Sequence, residues 1–246
     1  MINRLLFIGA AFLVALLLAF NKAKTFPGRF IVKSKLAKQV LRCGPDWEEL
    51  KPWLEGSDIP PIPGAGNYRW KISTRSDSAQ FYFNQGINTY YSFHIIESMA
   101  SFKKAARFDS QSAMIYWAQA LAFGPNINDY GYAASPEALA ALDNARSLME
   151  GCSPLEKALI DAMSVRYTTD STDVNRKMLN EKYTAEMKKV YEHFPAYPDA
   201  GTLYADAMMQ EHPWDLWYPD DHLKNGHLRS GRFWKKFCAW HQIIQG

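Results

Sequence analysis

The feature that most constrains the fold of this chain is a pair of residues that returns after 34 positions. Tyr82 and Gly86 stand four residues apart, and Tyr116 and Ala120 repeat that pair 34 residues later. A period of this length is typical of a helical hairpin that stacks on copies of itself. We therefore expect an all-α chain built from tandem helical hairpins, an αα solenoid.

Residues 79–112 resemble one helix–turn–helix unit of a tetratricopeptide repeat. Tyr82 and Gly86 occupy positions of its first helix, and the small and aromatic positions of its second helix are Ser98, Phe102 and Ala105. We expect Phe102 and Ala105 to pack where Gly86 lets the two helices meet. The pattern departs from the family at three places, Gln85 for Leu, Thr89 for Tyr and Ser110 for the closing Pro.

The wider sequence is similar to a group of bacterial exported tetratricopeptide proteins. The resemblance covers about residues 43–220 and includes four phrases in order: Phe83-Asn84-Gln85-Gly86, Ser101-Phe102-Lys103-Lys104-Ala105-Ala106, Gly124-Pro125-Asn126-Ile127-Asn128 and Pro213-Trp214-Asp215-Leu216-Trp217. It implies a non-enzymatic protein-interaction scaffold in the cell envelope, periplasmic or anchored in the inner membrane. The proteins that it resembles are longer chains, with further helical repeats after the last of these phrases.

Start and stop signals predict the other helices of a repeat region at 78–212. One helix is expected over 113–123, and another begins at Ser135 with Pro136 in its first turn. Ser153 and Glu156 form a capping box. We expect a long helix after Asp173 and a last one after Asp199. No segment has the two-residue period of a strand.

The N-terminal residues 1–24 read as a signal peptide or a membrane anchor. Leu5 to Phe20 is an unbroken apolar run, and 16 helical residues span about 24 Å, slightly short of a hydrocarbon core of roughly 30 Å. Seven basic residues follow, from Lys22 to Arg42. They favour a cytoplasmic C-terminal side, which conflicts with export, so cleavage and orientation stay open.

The net charge of +3 conceals a segregated distribution of charge. Residues 1–42 contain eight Lys or Arg and no acidic residue, whereas residues 43–220 contain 15 basic and 24 acidic residues. An acidic helical body disfavours nucleic-acid binding. The expected partners are a protein or peptide, and a membrane through Leu5 to Phe20.

Residues 25–77 begin basic and become rich in Pro, Gly and Trp. No long helix is expected between 44 and 77. Three tryptophans, Trp47, Trp53 and Trp70, predict that this extended segment is pinned to the first repeat. Stacking of these rings on a ligand is the alternative.

The resemblance places a peptide-binding groove on the first helix of each hairpin. Its expected residues are Gln80, Phe83, Asn84, Ile87, Tyr90, Tyr91, Met114, Trp117 and Leu121. Burial by a neighbouring helix or by the Trp-rich segment is the alternative for each. Repeats that clamp a terminal carboxylate use Asn and Lys, and Ile87 replaces one Asn here. An apolar or aromatic peptide is therefore the expected ligand.

Catalytic, cofactor and metal chemistry find little support in the sequence. His94 and Glu97 meet on one helical turn, which usually indicates a surface pair. Cys43, Cys152 and Cys238 have neither disulfide nor zinc spacing. We expect no enzyme, no cofactor and no metal site. The alternative is a fragment of a longer protein whose metal or enzymatic site lies in further C-terminal repeats.

The tail, residues 213–246, changes character after its Trp-rich turn. From Asp221 the acidic helical pattern gives way to Trp, His, Lys and Cys. Synonymous codons in a shifted frame restore helix-like sequence on both sides of Gly231. We expect this tail to be translated out of frame and disordered, in which case a metal set that includes His222, Cys238 and His241 arises by accident.

Overall fold

The computed structural model describes residues 45–56, 58–170 and 174–211. Throughout these ranges the chain is all-α, which confirms that part of the predicted fold class. Beyond its helices they show one isolated β-bridge, between Asn126 and Asp129. The α-helices are α1 (Trp47–Gly56), α2 (Asp77–Tyr91), α3 (Ile95–Phe108), α4 (Ala113–Phe123), α5 (Ser135–Ser147), α6 (Pro154–Met163), α7 (Arg176–His193) and α8 (Pro198–Glu211). A 3₁₀ turn, Met149–Gly151, precedes α6.

The most extensive contacts join consecutive helices, α2 with α3, α4 with α5, and α7 with α8. In the first pair, Gly86 on α2 faces the ring of Phe102 on α3. A Cβ atom at Gly86 would lie 2.4 Å from that ring. Phe102 and Ala105 are fully buried, so the expected close contact of this hairpin is confirmed.

The predicted helix boundaries are met closely in the second hairpin and less closely after it. Helix α4 spans the expected residues, and α5 begins at Ser135, although Ala134 takes the cap position. The Ser153–Glu156 capping box is present at α6. Helix α7 begins at Arg176, later than the start after Asp173 that the sequence predicted.

The expectation that the chain is extended between 44 and 77 is wrong for Trp47–Gly56, which forms a helix of 10 residues. Pro52 lies inside α1. Because proline fixes a helical φ and removes only one backbone donor, a short helix can retain it when tertiary packing supports the element. Trp47 and Leu54 are buried, and Leu50 packs against the core between them. Burial of this face offsets the helix-breaking tendency of Pro52.

Two predictions fall on residues outside the described ranges, the apolar helix at Leu5 to Phe20 and the tail at 213–246. Among the helices that the structure describes, none combines the length and apolar character needed to cross a membrane.

Candidate functional site

The inner face of α2 is covered by the chain itself. Residues 58–74, here called the covering segment, run along it without helix or strand, with a turn at Pro63 and Gly64. Four amide side chains of α2 bind the backbone of this segment, and we call them the amide column: Gln80, Asn84, Gln85 and Asn88. On α2, the surface where the sequence predicted a groove is therefore covered by another part of the same chain.

Each member of the amide column binds peptide groups of the covering segment. Gln80 accepts from the Ile72 N–H at 3.0 Å and donates to the Trp70 carbonyl at 2.9 Å. Asn88 accepts from the Tyr68 N–H at 3.2 Å and donates to the carbonyl of the same residue at 2.8 Å. These contacts satisfy peptide groups that have no partner in a helix or sheet.

Asn84 and Gln85 complete the amide column. Asn84 Oδ1 accepts from the Trp70 N–H at 3.1 Å. Gln85 Oε1 accepts from the Ile62 N–H at 2.9 Å, and its amide donates to the Pro60 carbonyl at 3.2 Å. The column thus holds the covering segment from residue 60 to residue 72 through backbone groups alone.

Both ends of the covering segment are also fixed by charged groups. Lys104 Nζ lies 2.8 Å from the Ile59 carbonyl and 2.8 Å from Asp58 Oδ1. The hydrogen bond from Lys104 lowers the pKa of Asp58. At the other end, Glu156 accepts from the Ser73 N–H at 2.7 Å and from its hydroxyl at 2.6 Å.

Most of the nine expected groove residues are buried, which is the alternative that the sequence left open. Six of the nine expected groove residues are buried: Phe83, Ile87, Tyr90, Met114, Trp117 and Leu121. Gln80 and Asn84 are half-buried and already bind the covering segment. One physical reason is that the covering segment lies against α2, where Trp70 contacts Phe83 and Trp117. Of the nine, Tyr90 and Tyr91 line a cavity that is described below.

Trp70 pins the covering segment to the core, as the sequence predicted. Its ring meets Phe83 edge-on at 5.9 Å and Trp117 edge-on at 5.5 Å between centroids. The Trp117 indole N–H donates to the Leu159 carbonyl at 3.1 Å. Trp47 is pinned separately, edge-on to Phe123 at 5.0 Å. The side chain of Trp53 lies outside what the structure describes.

A cavity of about 540 Å³ lies where the end of α2 and the covering segment meet α8. We call it the end cavity. Its volume falls in the range of about 300–1,000 Å³ that is common for ligand sites. Its polar, aromatic and acidic lining includes Asn67, Tyr68, Asn88, Tyr90, Tyr91, Phe93, Asn126, Asp199, Thr202 and Asp206.

Asp199 is a buried carboxylate of the end cavity, with 5% of its surface exposed. The Tyr68 hydroxyl donates to its Oδ2 at 2.7 Å, and the Tyr91 hydroxyl donates to its Oδ1 at 3.2 Å. Burial raises the pKa of Asp199 to about 6, and the two tyrosine hydrogen bonds only partly oppose that rise. The group is therefore mainly ionised at neutral pH, at a cost in desolvation.

Asp206 lies two turns further along α8 and also lines the end cavity. Burial raises its pKa to about 6, against the attraction of Arg166 and a hydrogen bond from the Gln210 amide. Arg166 is fully buried and donates to the Pro125 carbonyl at 2.8 Å. Asp206 thus lies near a buried cation, whereas Asp199 is hydrogen-bonded by two tyrosine hydroxyls and by its own backbone N–H.

Phe93 stands at the rim of the end cavity in a strained conformation. It has φ = 62°, in the left-handed region that a bulky side chain rarely adopts, and 52% of its surface is exposed. Its N–H donates to the Tyr90 carbonyl, and the next N–H donates to Thr89, both at 2.9 Å. This is a helix-ending geometry that glycine usually supplies. Strain of this kind concentrates at functional sites.

Asp199 and Asp206 are the carboxylates that line the end cavity among the residues the structure describes. No group of three or more His, Cys, Asp or Glu in the described parts of the chain could hold a metal ion. His94 and Glu97 form an exposed pair with 4.0 Å between Nδ1 and Oε2. Burial raises the pKa of the Cys152 thiol to about 11, which leaves it unreactive. Nothing positive in these ranges supports an enzyme.

Comparisons of the chain with protein-family models, with curated proteins and with solved structures return no match.

Sequence reasoning missed the acidic residues of the end cavity and its strained rim. Asp199 and Asp206 are seven residues apart, a spacing that places both on one face of a helix. Asp199 was predicted only as a helix cap. The adjacent Tyr90 and Tyr91 were assigned to the groove. The local sequence pattern does not indicate that the covering segment and the end of α2 both meet α8.

Proposed function

We propose that this chain is a protein-interaction scaffold of the tetratricopeptide type and that the end cavity is where it binds its partner. The observation that supports this proposal is that the covering segment fills one of its two concave surfaces and leaves the other open. The covering segment fills the groove of the first hairpin through the amide column, while the end cavity keeps about 540 Å³. Successive paired helices support a scaffold of stacked hairpins.

The proposal differs from the resemblance in the place of binding. The family pattern puts the ligand on the first helix of each hairpin. Here the residues at those positions are core or are bonded to the covering segment. Tyr90 and Tyr91 connect the two, because they belong to the expected groove and also line the end cavity.

A display selection with random peptides tests the proposal. The full chain, purified in detergent, is used as bait beside Thr202→Trp, which fills the end cavity with an indole. Asn144→Trp places the same indole on the exposed side of α5 and serves as the matched control. We expect peptides that bind the parent and the Asn144 variant but not the Thr202 variant. If no enriched peptide depends on the cavity, the proposal is wrong.

We also propose that the scaffold is held at, or exported across, a bacterial membrane. The support is the apolar run Leu5 to Phe20 and the basic residues after it. Fractionation with protease protection tests this. The expected result is full-length or processed protein that is membrane-bound or periplasmic; full-length protein in the soluble cytoplasm would contradict it.

A further inference from the structure

We propose that the end cavity holds the basic side chain, arginine or lysine, of an extended partner polypeptide. This inference rests on the proposed function and names the chemistry of the partner. Three observations carry it, namely the charge of the cavity, the aromatic rings around that charge and the strained ring at its rim.

The charge of the end cavity is negative and incompletely balanced. Asp199 is buried and hydrogen-bonded by two tyrosine hydroxyls, and no ion pair to it is formed by any residue the structure describes. The ionisable lining residues in those ranges are Tyr68, Tyr90, Tyr91, Asp199 and Asp206. Behind them, Arg166 interacts with Asp206. A buried carboxylate without a full counter-charge is costly, and a bound cation would remove that cost.

The surroundings of Asp199 suit an organic cation better than a metal ion or an anion. Tyr68 and Tyr91 place their rings 6.3 Å apart, tilted by 52°, with both hydroxyls on the carboxylate. A guanidinium or ammonium group can lie against such rings and still reach a carboxylate oxygen. A carboxylate oxygen accepts more than one hydrogen bond, so the tyrosines leave acceptor capacity for the ligand.

Phe93 extends the aromatic wall to the cavity mouth. The ring is half exposed, so burial does not explain why a phenylalanine is kept at a positive φ. The aliphatic stem of an arginine or lysine would pass such a ring on its way to Asp199. Asn67 is exposed, lines the same cavity and offers a polar side chain to a peptide backbone.

Calorimetry with short peptides tests the inference. The full chain is titrated with acetylated, amidated pentapeptides of alanine with a central Arg, Lys, norleucine or Glu. Norleucine keeps the length of lysine without its charge. N-acetylarginine amide supplies the side chain without an extended backbone. We expect the Arg and Lys peptides to bind about tenfold or more tightly than the others, the factor typical of a charge-assisted hydrogen bond.

Three variants separate recognition from folding. Asp199→Asn keeps shape and removes charge, so the Arg peptide should bind about tenfold or more weakly. Phe93→Gly removes the rim ring and should weaken binding without lowering thermal stability. Glu181→Gln removes an exposed carboxylate of α7 and should leave affinity unchanged.

Several results would overturn the inference. Norleucine or Glu peptides as tight as the Arg peptide would do so, as would unchanged affinity in Asp199→Asn or the absence of any binding in the panel. Binding of N-acetylarginine amide as tight as that of the Arg peptide would indicate that the ligand is a small organic cation rather than a polypeptide. If the display selection yields cavity-dependent peptides without basic residues, the scaffold proposal stands and the basic-side-chain inference fails.

Discussion

The inner face of the first hairpin and the end cavity are built from similar residues but differ in how their polar groups are satisfied. On the inner face, the amide column pairs with the peptide groups of the covering segment, and the rings around it are buried. At the end cavity, Asp199 is buried without a counter-charge and Phe93 is held at a positive φ. The inner face therefore resembles a protein core, whereas the end cavity contains two destabilising features, a buried charge and a strained backbone.

The difference indicates which surface serves folding and which serves binding. A protein usually satisfies buried polar groups and avoids strain where stability is the only demand. Where function requires strain or an unbalanced buried charge, substitutions at the site tend to raise stability and lower activity. We therefore expect inner-face variants to destabilise the chain, and end-cavity variants to leave it as stable or more stable.

The largest effect is expected for Trp117→Ala. The indole is fully buried, meets Trp70, and donates to the Leu159 carbonyl. Removing a tryptophan from a packed core costs about 3–5 kcal/mol. Chemical denaturation measures this, and Tyr116→Ala, half-buried on the same helix, is the control. A loss below about 1 kcal/mol would mean that Trp117 faces a groove after all.

Gly86→Ala tests the contact between α2 and α3. Alanine normally stabilises a helix interior relative to glycine, by roughly 0.5–1 kcal/mol. Here the added Cβ would meet the Phe102 ring at 2.4 Å, so a loss of about 1–3 kcal/mol is expected instead. Gly151→Ala is the matched control, because its Cβ would meet nothing within 4 Å. A stabilised Gly86 variant would show that the helices are further apart.

Gln85→Leu tests the amide column. The change removes the partners of the Ile62 N–H and the Pro60 carbonyl without changing side-chain length much. Leaving such groups unpaired costs about 1–3 kcal/mol, and burial of leucine offsets part of it. The same change at Gln111, which is exposed, should be nearly neutral. Equal thermal stability of the two variants would mean that the covering segment is only loosely held.

The hairpins were predictable because their signals are local. The helix over 113–123, the Ser153–Glu156 box and the contact at Gly86 each depend on residues within one hairpin. The occupied groove was not predictable at the same level, because the spacing of α2 does not reveal that residues 58–74 return to cover it. The Trp-rich segment gave the one indication, and burial by it was the open alternative.

The end cavity was predictable only in fragments. It combines Tyr68 of the covering segment, Tyr91 of α2 and Asp199 of α8, whose side chains meet across more than 100 residues of sequence. No periodicity within one helix predicts such a meeting. Helix α1 was missed for a different reason. The Pro- and Gly-rich composition of 44–77 disfavours a helix, but packing of the apolar face of α1 retains one that includes Pro52.

Asp199→Asn should stabilise the chain at neutral pH. The folded state holds this carboxyl at a pKa of about 6, above its ordinary value of 3.8. The folded chain therefore binds more protons between these values, and its stability falls as pH rises from about 4 to 6. Above pH 6 the ionised group costs on the order of 1–3 kcal/mol.

Denaturation as a function of pH measures this effect. Because Asp206 also has a pKa of about 6 and remains in the variant, the slope should be reduced rather than abolished. Asn retains an acceptor for one of the two tyrosine hydroxyls. Lower stability of the Asn variant at pH 7 would mean that the Tyr68 and Tyr91 hydrogen bonds outweigh the cost of the buried charge.

The smallest effect is expected for Phe93→Gly. Glycine removes the cost of a side chain at φ = 62°, about 1–2 kcal/mol, but loses roughly 0.5–1 kcal/mol through the greater entropy of the unfolded chain. The net change should be a gain of about 0–1.5 kcal/mol. Phe93→Ala removes the same half-exposed ring and keeps the strain, so it should be less stable than the glycine variant. If alanine and glycine are equally stable, the strain at Phe93 is not real, and the end cavity loses the feature that most clearly separates it from the inner face.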